Sequence, residues 1–429
     1  MKEACHPALE ERAYWGTAGD LTLVLYPRKD ASLNHALLSL DYGSIDRSFG
    51  LATSPEQYTD TPAGVAHFLE HRIFEKKDGD ISARFADLGA TVDAHTTMTE
   101  TSYSVTCGDR FSESLGLLFE LVFEPFFTED GVARERAIIR RELELYQDDV
   151  DWVSFFTCLK ALYGDHPIAA DIAGTVESIE QIDHHILASC FEAFYKPQRA
   201  VLFVFGDFEV PAMWDRVELL VGGLTSGLAE HSSPETITTR PAAVAQPTRI
   251  QHAMGVSEPR LAMAFHDISA PCGKQLLTRE LTLELLLDVL FGPASAFYTR
   301  EYGTGLIEEE SFSWEVQAES GYCFCLLSGD SQQPALLEER VLKEIAVSAK
   351  GDFLSQDWQR AKRKMYGSLV SRFEDGEDCA EMIVAAVRQG CEPFAYLQIL
   401  SAIEVEDATA ALQSVLRLDG YGISTVSPG

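Results

Sequence analysis

The sequence predicts an α/β (α+β) protein of two homologous domains, each a mostly antiparallel sheet packed with helices. Three observations support this prediction. The 429 residues are too many for one ordinary hydrophobic core and suggest two domains of about 200 residues each. Apolar runs that are typical of strands alternate with segments of helical periodicity. The order of these elements in the first half recurs in the second half, as expected of a duplicated domain.

The first half begins with strands. Leu21 to Pro27 and Ala36 to Tyr42 are apolar runs bounded by Pro, Asn and Gly, which indicates strands. A short helix is predicted from Ile81 to Leu88, and residues 90–107 alternate like paired strands rich in Thr, Val and Tyr. A helix from Phe111 to Phe123 completes this group of elements.

Between these elements, the segment Gly64 to Phe74 has two histidines four residues apart, with a glutamate just before the second: His67, Glu70 and His71. On a helix, the two histidines stack on one face and Glu70 lies at its edge. Imidazoles at this spacing can present two nitrogen ligands to zinc, and a nearby carboxylate can act as the base for an activated water. The order His-x-x-Glu-His is the inverzincin signature. The alternative is a surface helix with two ordinary histidines.

The next helix, from about Asp130 to Gln147, is predicted to place Glu135 and Glu142 on its buried side. At about 100° per residue, the two carboxylates share an arc of roughly 160° with apolar residues. These are Ile138, Ile139, Leu143, Leu145 and Tyr146. Buried carboxylates need a cation or strong donors, and a zinc ion held by the two histidines would supply the cation. Glu142 is therefore predicted to be the third ligand and Glu135 an acceptor that orients a ligand. A buried ion pair with a lysine or arginine elsewhere is the alternative.

Residues 223–251 are rich in Gly, Ser, Thr, Pro and Ala, which predicts a linker between domains at 1–222 and 252–429. In the second domain, the order of strand, long helix, short helix and paired strands begins again. Its predicted elements are a strand from Leu261 to His266, helices at 276–291, 296–302, 335–349 and 356–373, alternating residues at 312–328 and a strand near Ile423.

The repeat also predicts that only the first half has a metal site. Aligning Phe291 with Phe74 places Glu284, Leu287 and Asp288 at the three positions of the His-x-x-Glu-His motif. No histidine is left at these positions. The second half is therefore predicted to retain the scaffold without the zinc ligands.

The composition limits which partners and which cellular compartment we expect for this protein. A formal net charge of −33 argues against nucleic acid as a partner and is compatible with cationic peptides, although it can also simply serve solubility. Nine cysteines without paired spacing fit reduced thiols. The first residues contain no apolar run typical of a secretory signal, and no segment reaches the ~20 apolar residues of a membrane span. We expect a cytoplasmic protein that does not bind a membrane.

Taken together, these motifs resemble the insulinase/pitrilysin family of zinc peptidases, and most of all its bacterial members similar to mitochondrial processing peptidase. Beyond the zinc motif, the resemblance includes Tyr163 to Pro167, Ala173 to Ile179 and Phe194 to Pro197, in that order. It implies two related α/β domains that form half of a clam-like chamber. It also implies one Zn²⁺ per chain and peptide substrates.

The resemblance also implies residues that bind substrate, with two departures. The strand with Asp93 and Ala94 would pair with an extended peptide, but most relatives have Asn at the first position. Relatives hold the substrate backbone with an Arg and a Tyr seven residues apart in the second domain. Here Arg300 matches, but Ile307 or Glu308 falls at the tyrosine position. Either this half binds the substrate in another way, or a partner subunit supplies the missing pair. Our hypothesis is the second, with a paralogous partner in a heterodimer, and a homodimer is the other possibility.

The predicted function is zinc-dependent endopeptidase activity on peptides or small unfolded polypeptides, with Glu70 as the catalytic base. A non-catalytic peptide-binding or assembly subunit of a processing-peptidase-like complex is the alternative. S-ribosylhomocysteine lyase also uses His-x-x-Glu-His, but its third ligand is a cysteine on a far shorter single-domain chain. His95 lies near the predicted substrate strand, and His184 and His185 are expected at the surface.

Overall fold

The computed structural model describes residues 1–6, 9–50, 58–225, 235–236, 246–269, 271–308, 311–349 and 355–429. Within these residues the strands are β1 (Lys2–His6), β2 (Glu11–Ala18), β3 (Leu21–Pro27), β4 (Asn34–Leu40), β5 (Ser48–Gly50), β6 (Tyr58–Asp60), β7 (Glu75–Lys76), β8 (Gly79–Asp80), β9 (Ala90–Thr96), β10 (Thr101–Cys107), β11 (Ala200–Gly206), β12 (Glu235–Thr236), β13 (Thr248–Met254), β14 (Arg260–His266), β15 (Ser313–Glu319), β16 (Tyr322–Asp330) and β17 (Gly422–Pro428). The helices in the same ranges are α1 (Val65–Arg72), α2 (Ser82–Asp87), α3 (Phe111–Phe123), α4 (Glu129–Asp148), α5 (Val150–Tyr163), α6 (Val176–Ile179), α7 (His184–Phe194), α8 (Val210–Thr225), α9 (Lys274–Phe291), α10 (Ala296–Gly303), α11 (Pro334–Ser348), α12 (Ser355–Arg372), α13 (Gly376–Arg388), α14 (Ala395–Ala402) and α15 (Val405–Ser414).

The chain folds into two compact units, each assembled from three segments. The first unit comprises Met1–Leu143, Asp171–Thr238 and Val370–Phe394. The second comprises Glu144–Ala170, Thr239–Leu369 and Ala395–Gly429.

This division differs from the predicted domains at 1–222 and 252–429, because residues 144–170 belong to the second unit and residues 370–394 to the first. The prediction rests on a composition shift along the chain, which carries no information about segments that cross between units. Most of the predicted linker, residues 223–251, lies outside the described residues.

The first unit contains a seven-stranded sheet in the order β1-β2-β3-β11-β4-β10-β9. All neighbouring strands in it are antiparallel except β3 and β11, which are parallel. The central strand β11 (Ala-Val-Leu-Phe-Val-Phe-Gly) is buried along its whole length, as expected of a continuous apolar run covered on both faces. Strand β9 forms one end of the sheet and packs against α1 and α2.

The second unit contains a five-stranded sheet in the order β13-β17-β14-β16-β15. Its first pair is parallel and the next three pairs are antiparallel. The same succession of pairs occurs in the first sheet along β3-β11-β4-β10-β9, and the strands occupy equivalent places in chain order. Helices α5 and α9 pack against this second sheet. The predicted α/β class, with mostly antiparallel sheets packed with helices, is therefore confirmed.

None of the helices that the structure describes combines, by itself, the length and the apolar character of a membrane span. Helices α9 and α10, which meet at a bend of 41°, satisfy the length and composition of a span only as a pair.

Candidate metal centre

The position of α1 depends on a close backbone contact at its N-terminus. Gly64, just before the helix, has a φ of 88°, a left-handed conformation that favours glycine. A Cβ at this position would lie 2.5 Å from the carbonyl oxygen of Ala173. The hydroxyl of Ser178 also donates a hydrogen bond of 2.8 Å to the carbonyl of Ala63. The segment around Ala173 therefore fixes the point at which the chain enters α1.

The other end of α1 is tied to the first turn of α4 by Arg72. This side chain is fully buried; it pairs with Glu75 and donates a hydrogen bond of 3.2 Å to the carbonyl of Phe126. The guanidinium also lies against Gly131 in α4, where a Cβ would come within 2.5 Å of Arg72 Nη2. A glycine at this position allows the two helices to approach closely. Since α4 carries both predicted carboxylates, this contact sets their distance from the histidines.

The structure brings the three predicted metal ligands together. Glu142 Oε1 lies 3.7 Å from His67 Nε2, and Glu142 Oε2 lies 3.6 Å from His71 Nε2. One possible ligand atom from each residue lies within 4.8 Å of the others. Tetrahedral coordination at about 2.0–2.1 Å separates ligand atoms by about 3.4 Å. The donor set of two imidazoles and a carboxylate, at these separations, therefore fits a divalent metal ion.

Glu135 occupies the position expected of an orienting acceptor. Its Oε1 lies 3.0 Å from His71 Nδ1, so the Nε2 atom of the same ring is directed towards Glu142. Burial alone would lower the pKa of His71, but the hydrogen bond to Glu135 and the charges of Glu70 and Glu142 raise the pKa above its ordinary value. Hydrogen bonding of one ring nitrogen fixes which nitrogen is available to a metal.

His67 has the protonation state that metal coordination requires. Its residue surface is only 8% exposed, and burial, helped by the neighbouring His71, lowers the pKa of His67 to about 4. The imidazole is therefore neutral near pH 7, so a ring lone pair is available for a metal. Helix α1 is buried along most of its length, which removes the alternative of a surface helix with two ordinary histidines.

The predicted base, Glu70, is buried beside the two histidines and is 7% exposed. Burial raises the pKa of its carboxyl group, although a hydrogen bond from Thr96 opposes this effect. Thr96 Oγ1 lies 2.6 Å from Glu70 Oε2. A buried carboxyl group with a raised pKa is suited to accepting and returning a proton.

The predicted burial of α4 is partly wrong. Ile139 and Leu143 are buried as predicted, but Ile138 is 54% exposed and Leu145 is 70% exposed. The side chains of Glu135 and Glu142 are 14% and 26% exposed, which places them at the border of the buried face. Periodicity correctly grouped these residues on one side of the helix. The buried stripe of α4 is therefore narrower than the predicted apolar arc.

The predicted substrate-binding residues lie in both units. Asp93 and Ala94 lie on β9; Asp93 is exposed and Ala94 half-buried. Since side chains alternate along a strand, Ala94 lies on the same face as Thr96, and Asp93 lies on the opposite face. Arg300 belongs to α10 of the second unit, where its guanidinium pairs with Glu301 at 2.6 Å and Glu344 at 2.9 Å.

In the second unit, Asp288 is the residue that the internal repeat aligns with the proposed ligand His71, and two cationic side chains lie near it. Asp288, at the position of His71, has a side chain that is 8% exposed. It pairs with Lys364, and the Arg360 guanidinium lies 3.9 Å away; both cations are on α12. Among the described residues, the one group of ligating side chains that could hold a metal is His67, His71 and Glu142.

Two residues of the site were missed by the sequence analysis. Thr96 contacts Glu70, and Arg72 holds α1 against α4. The sequence does contain a signal for Thr96, because the two-residue period of β9 places it on the same face as Ala94, at the end of the predicted substrate strand. For Arg72, a charged residue directly after the motif gave no indication of complete burial.

Two family models, which describe two domains of one peptidase family, match this chain. The insulinase family (peptidase family M16) model matches residues 57–176, which include His67, His71 and Glu142. The model of the peptidase M16 inactive domain matches residues 181–365.

Relatives match over nearly the whole chain. The uncharacterized zinc protease YmfH of Bacillus subtilis is 31% identical over 409 residues, which cover 95% of this chain and 94% of the relative. The crystal structure of an M16-like peptidase from Alicyclobacillus acidocaldarius has a TM-score of 0.89 at 29% identity, covering 97% of this chain and 98% of that one. A protease from Helicobacter pylori has the same fold, with a TM-score of 0.82 at 17% identity over 97% of this chain and 100% of that one.

Proposed function

The chain belongs to the insulinase family of peptidases, family M16, and we propose that it is a zinc-dependent endopeptidase acting on peptides or small unfolded polypeptides. The observation that carries this proposal is the convergence of His67, His71 and Glu142 beside the buried carboxylate of Glu70. Two imidazole nitrogens, one carboxylate and an adjacent base are the components of a zinc hydrolase site. The Bacillus subtilis relative that matches 95% of this chain is named a zinc protease, which supports this choice of metal.

The residues divide the chemistry between them. His67, His71 and Glu142 would hold one Zn²⁺ per chain, and Glu135 orients the His71 ring. Zinc, when bound, supplies the Lewis acidity that polarises a peptide carbonyl and acidifies a water molecule. Glu70 accepts the proton of the attacking water at a carboxylate oxygen and donates it to the leaving amine nitrogen. The Glu70 side chain that does this is largely buried, with 7% of the residue surface exposed.

Strand β9 is the proposed binding element for the peptide backbone. It is the terminal strand of its sheet, and among the described residues its only strand partner is β10. An extended peptide can add to such an edge through main-chain hydrogen bonds, which give affinity without strict sequence preference. In this role Ala94 lies on the face shared with Thr96, and the exposed Asp93 adds negative charge to the opposite face.

The second unit supports a further proposal, namely that a paralogous subunit completes the active enzyme. Ile307 or Glu308 falls at the expected tyrosine position, and Ile307 is only 2% exposed. Arg300, the other member of the expected pair, is held by two glutamates. A buried isoleucine cannot donate a hydrogen bond to a peptide backbone. We therefore favour a heterodimer whose partner supplies this contact, over a homodimer.

A second candidate function is a non-catalytic peptide-binding or assembly subunit. The match of residues 181–365 to the inactive-domain model favours it. The intact group of ligands and base in the first unit supports the catalytic role. The structure also argues against an S-ribosylhomocysteine lyase, because the third side chain that could bind the metal is Glu142 and not a cysteine. Location in the cytoplasm stays a prediction of the sequence.

A cleavage assay distinguishes the two candidates. Unstructured peptides are incubated with the zinc-loaded chain, alone and with its paralogous partner, and compared with the Glu70→Gln variant. We expect cleavage that needs or is strongly increased by the partner and is lost in Glu70→Gln, while zinc remains bound. Full activity of the chain alone would contradict the heterodimer hypothesis. Equal cleavage by the wild type and Glu70→Gln would contradict the catalytic assignment.

A further inference from the structure

The hydroxyl group of Thr96 makes a contact with the proposed base that none of the metal ligands makes. We propose that Thr96 is a positioning residue that holds the Glu70 carboxylate in the orientation required for proton transfer. This inference rests on the proposed peptidase function, because that function makes Glu70 the base. Thr96 itself needs to touch neither the substrate nor the metal.

The first support is the geometry of the contact. Thr96 Oγ1 donates a hydrogen bond of 2.6 Å to Glu70 Oε2, within the range of an O–H donor on an ionised acceptor. Among the residues that the structure describes, no other group donates a hydrogen bond to this carboxylate. Because Glu70 is only 7% exposed, few water molecules can reach this carboxylate to replace the hydroxyl. The bond occupies Oε2 and leaves Oε1 to accept the proton of the attacking water.

The second support is that Thr96 is itself fixed by its backbone. It is the last residue of β9 and lies opposite Thr101 in the ladder with β10. The turn that follows is closed by a hydrogen bond of 2.8 Å from the Thr97 amide to the Glu100 carbonyl. The amide of Ser44 donates to the Thr97 carbonyl at 3.0 Å. Loops on two sides therefore hold the end of this strand.

The same turn is tied to a distant part of the first unit. Arg388 of α13 pairs with the Glu100 carboxylate and donates a hydrogen bond of 3.0 Å to the Thr99 carbonyl. The hydroxyl of Ser39 also donates to Glu100, at 2.8 Å. A catalytic group is held most accurately when the residues that contact it are themselves locked by packing and hydrogen bonds. The turn after Thr96 meets this condition.

The position of Thr96 also has a consequence for the reaction. Strand β9 is the proposed element for the peptide backbone, and its last side chain contacts the base. The strand that would position the scissile bond therefore also positions the group that takes up the proton. Loss of the hydroxyl should affect the rate of the chemical step and leave the main-chain pairing of the substrate in place.

Three variants test this inference in the zinc-loaded chain with its partner. Thr96→Val removes the hydroxyl at nearly constant volume, Thr96→Ser keeps it, and Thr17→Val is a control on β2 of the same sheet. We expect Thr96→Val to lower kcat by roughly 10- to 100-fold with little change in KM, as for a misplaced catalytic group. Thr96→Ser should restore most of the rate, and Thr17→Val should resemble the wild type. An unchanged kcat in Thr96→Val would overturn the proposal.

Crystal structures of the zinc-loaded variants give a readout that does not depend on cleavage. We expect Glu70 to keep its side-chain conformation in Thr96→Ser and to move or become disordered in Thr96→Val. If the wild type cleaves no peptide while Glu70 moves in Thr96→Val, the peptidase function fails and the positioning contact stands. If Glu70 stays in place in Thr96→Val, the positioning role is overturned, whatever the activity of the wild type.

Discussion

The Nδ1 atom of His71 lies 3.0 Å from Oε1 of Glu135, two turns along α4 from the proposed ligand Glu142. This contact accounts for a carboxylate that is too far along the helix to be a ligand itself. It selects the ring nitrogen of His71 that faces Glu142, at 3.6 Å. One helix thus provides both the third ligand and the group that orients the second.

The first prediction concerns zinc affinity. Replacing Glu135 with Ala removes the acceptor from His71 Nδ1 and should weaken zinc binding by roughly 10- to 100-fold. Competition with a chromophoric chelator measures this change. Glu144→Ala, an exposed position on the same helix, is the matched control and should leave the affinity unchanged. An equal affinity in Glu135→Ala and the wild type would show that the contact does not support the metal.

A second prediction concerns the spacing of α1 and α4. The added methyl group of Gly131→Ala would lie 2.5 Å from Arg72 Nη2, so the helices must move apart or the buried guanidinium must shift. We expect a loss of about 1–3 kcal/mol in the free energy of unfolding of the metal-free protein. Zinc affinity should also fall, because the ligands of α4 move away from the histidines.

Chemical denaturation measures the stability change in this variant. Gly222→Ala is the matched control, since a Cβ at this position in α8 meets no atom within 4 Å. There a helical alanine should be neutral or stabilising, by up to about 1 kcal/mol. If the two variants were equally stable, Arg72 would not set the distance between the helices.

The third prediction concerns Asp288 in the second unit. Its carboxylate is nearly buried and is compensated by Lys364 and, at 3.9 Å, by Arg360. Lys364→Met should lower the free energy of unfolding by roughly 1–3 kcal/mol, because it leaves a buried charge with one distant partner. Arg363→Met, at an exposed position next to it on α12, should have little effect. Similar denaturation midpoints for both variants would show that the pair does not stabilise this unit.

The fourth prediction concerns pH. His35 on β4 is 4% exposed, its Nδ1 lies 2.8 Å from Thr106 Oγ1, and burial lowers the pKa of its imidazole to about 4. The unfolded chain, with a histidine pKa of about 6.5, binds the proton more readily than the folded chain. The contribution of His35 is therefore fully present above about pH 6.5 and is lost as the pH falls towards 4. Over that interval the loss is about 3 kcal/mol.

Denaturation of the metal-free protein at pH 7 and pH 4.5 tests this sign. His35→Gln should lose less stability between the two values than the wild type, because its side chain takes up no proton. His185→Gln, at an exposed position on α7, should follow the wild type. A parallel loss in His35→Gln would mean that the buried imidazole is not the source of the acid sensitivity.

Sequence periodicity was sufficient for the two helices that form the site. His67 and His71 are one turn apart, and Glu135 and Glu142 are two turns apart, so each pair must share a face once its segment is helical. The bounds of β3 and α3 agree with the predictions at every residue. What periodicity could not supply is the extent of coverage. Ile138 and Leu145 belong to the apolar arc of α4, yet packing leaves them exposed.

Contacts between segments that are distant in the chain could not be predicted from the sequence either. Thr96 and Glu70 are 26 residues apart on different elements, and their hydrogen bond exists only after α1 has packed on β9. The hairpin of β1 and β2 was not predicted at all. The division into units could not be derived from composition either, because residues 370–394 return to the first unit after most of the second has formed.

The most direct test of the account is to determine where zinc binds and how much is bound. We predict one zinc per chain, located by anomalous diffraction at about 2.0–2.2 Å from the Nε2 atoms of His67 and His71 and from the carboxylate of Glu142. Glu142→Ala should lose this ion. A chain that binds no zinc, or whose zinc lies elsewhere and is unaffected by Glu142→Ala, would contradict the account.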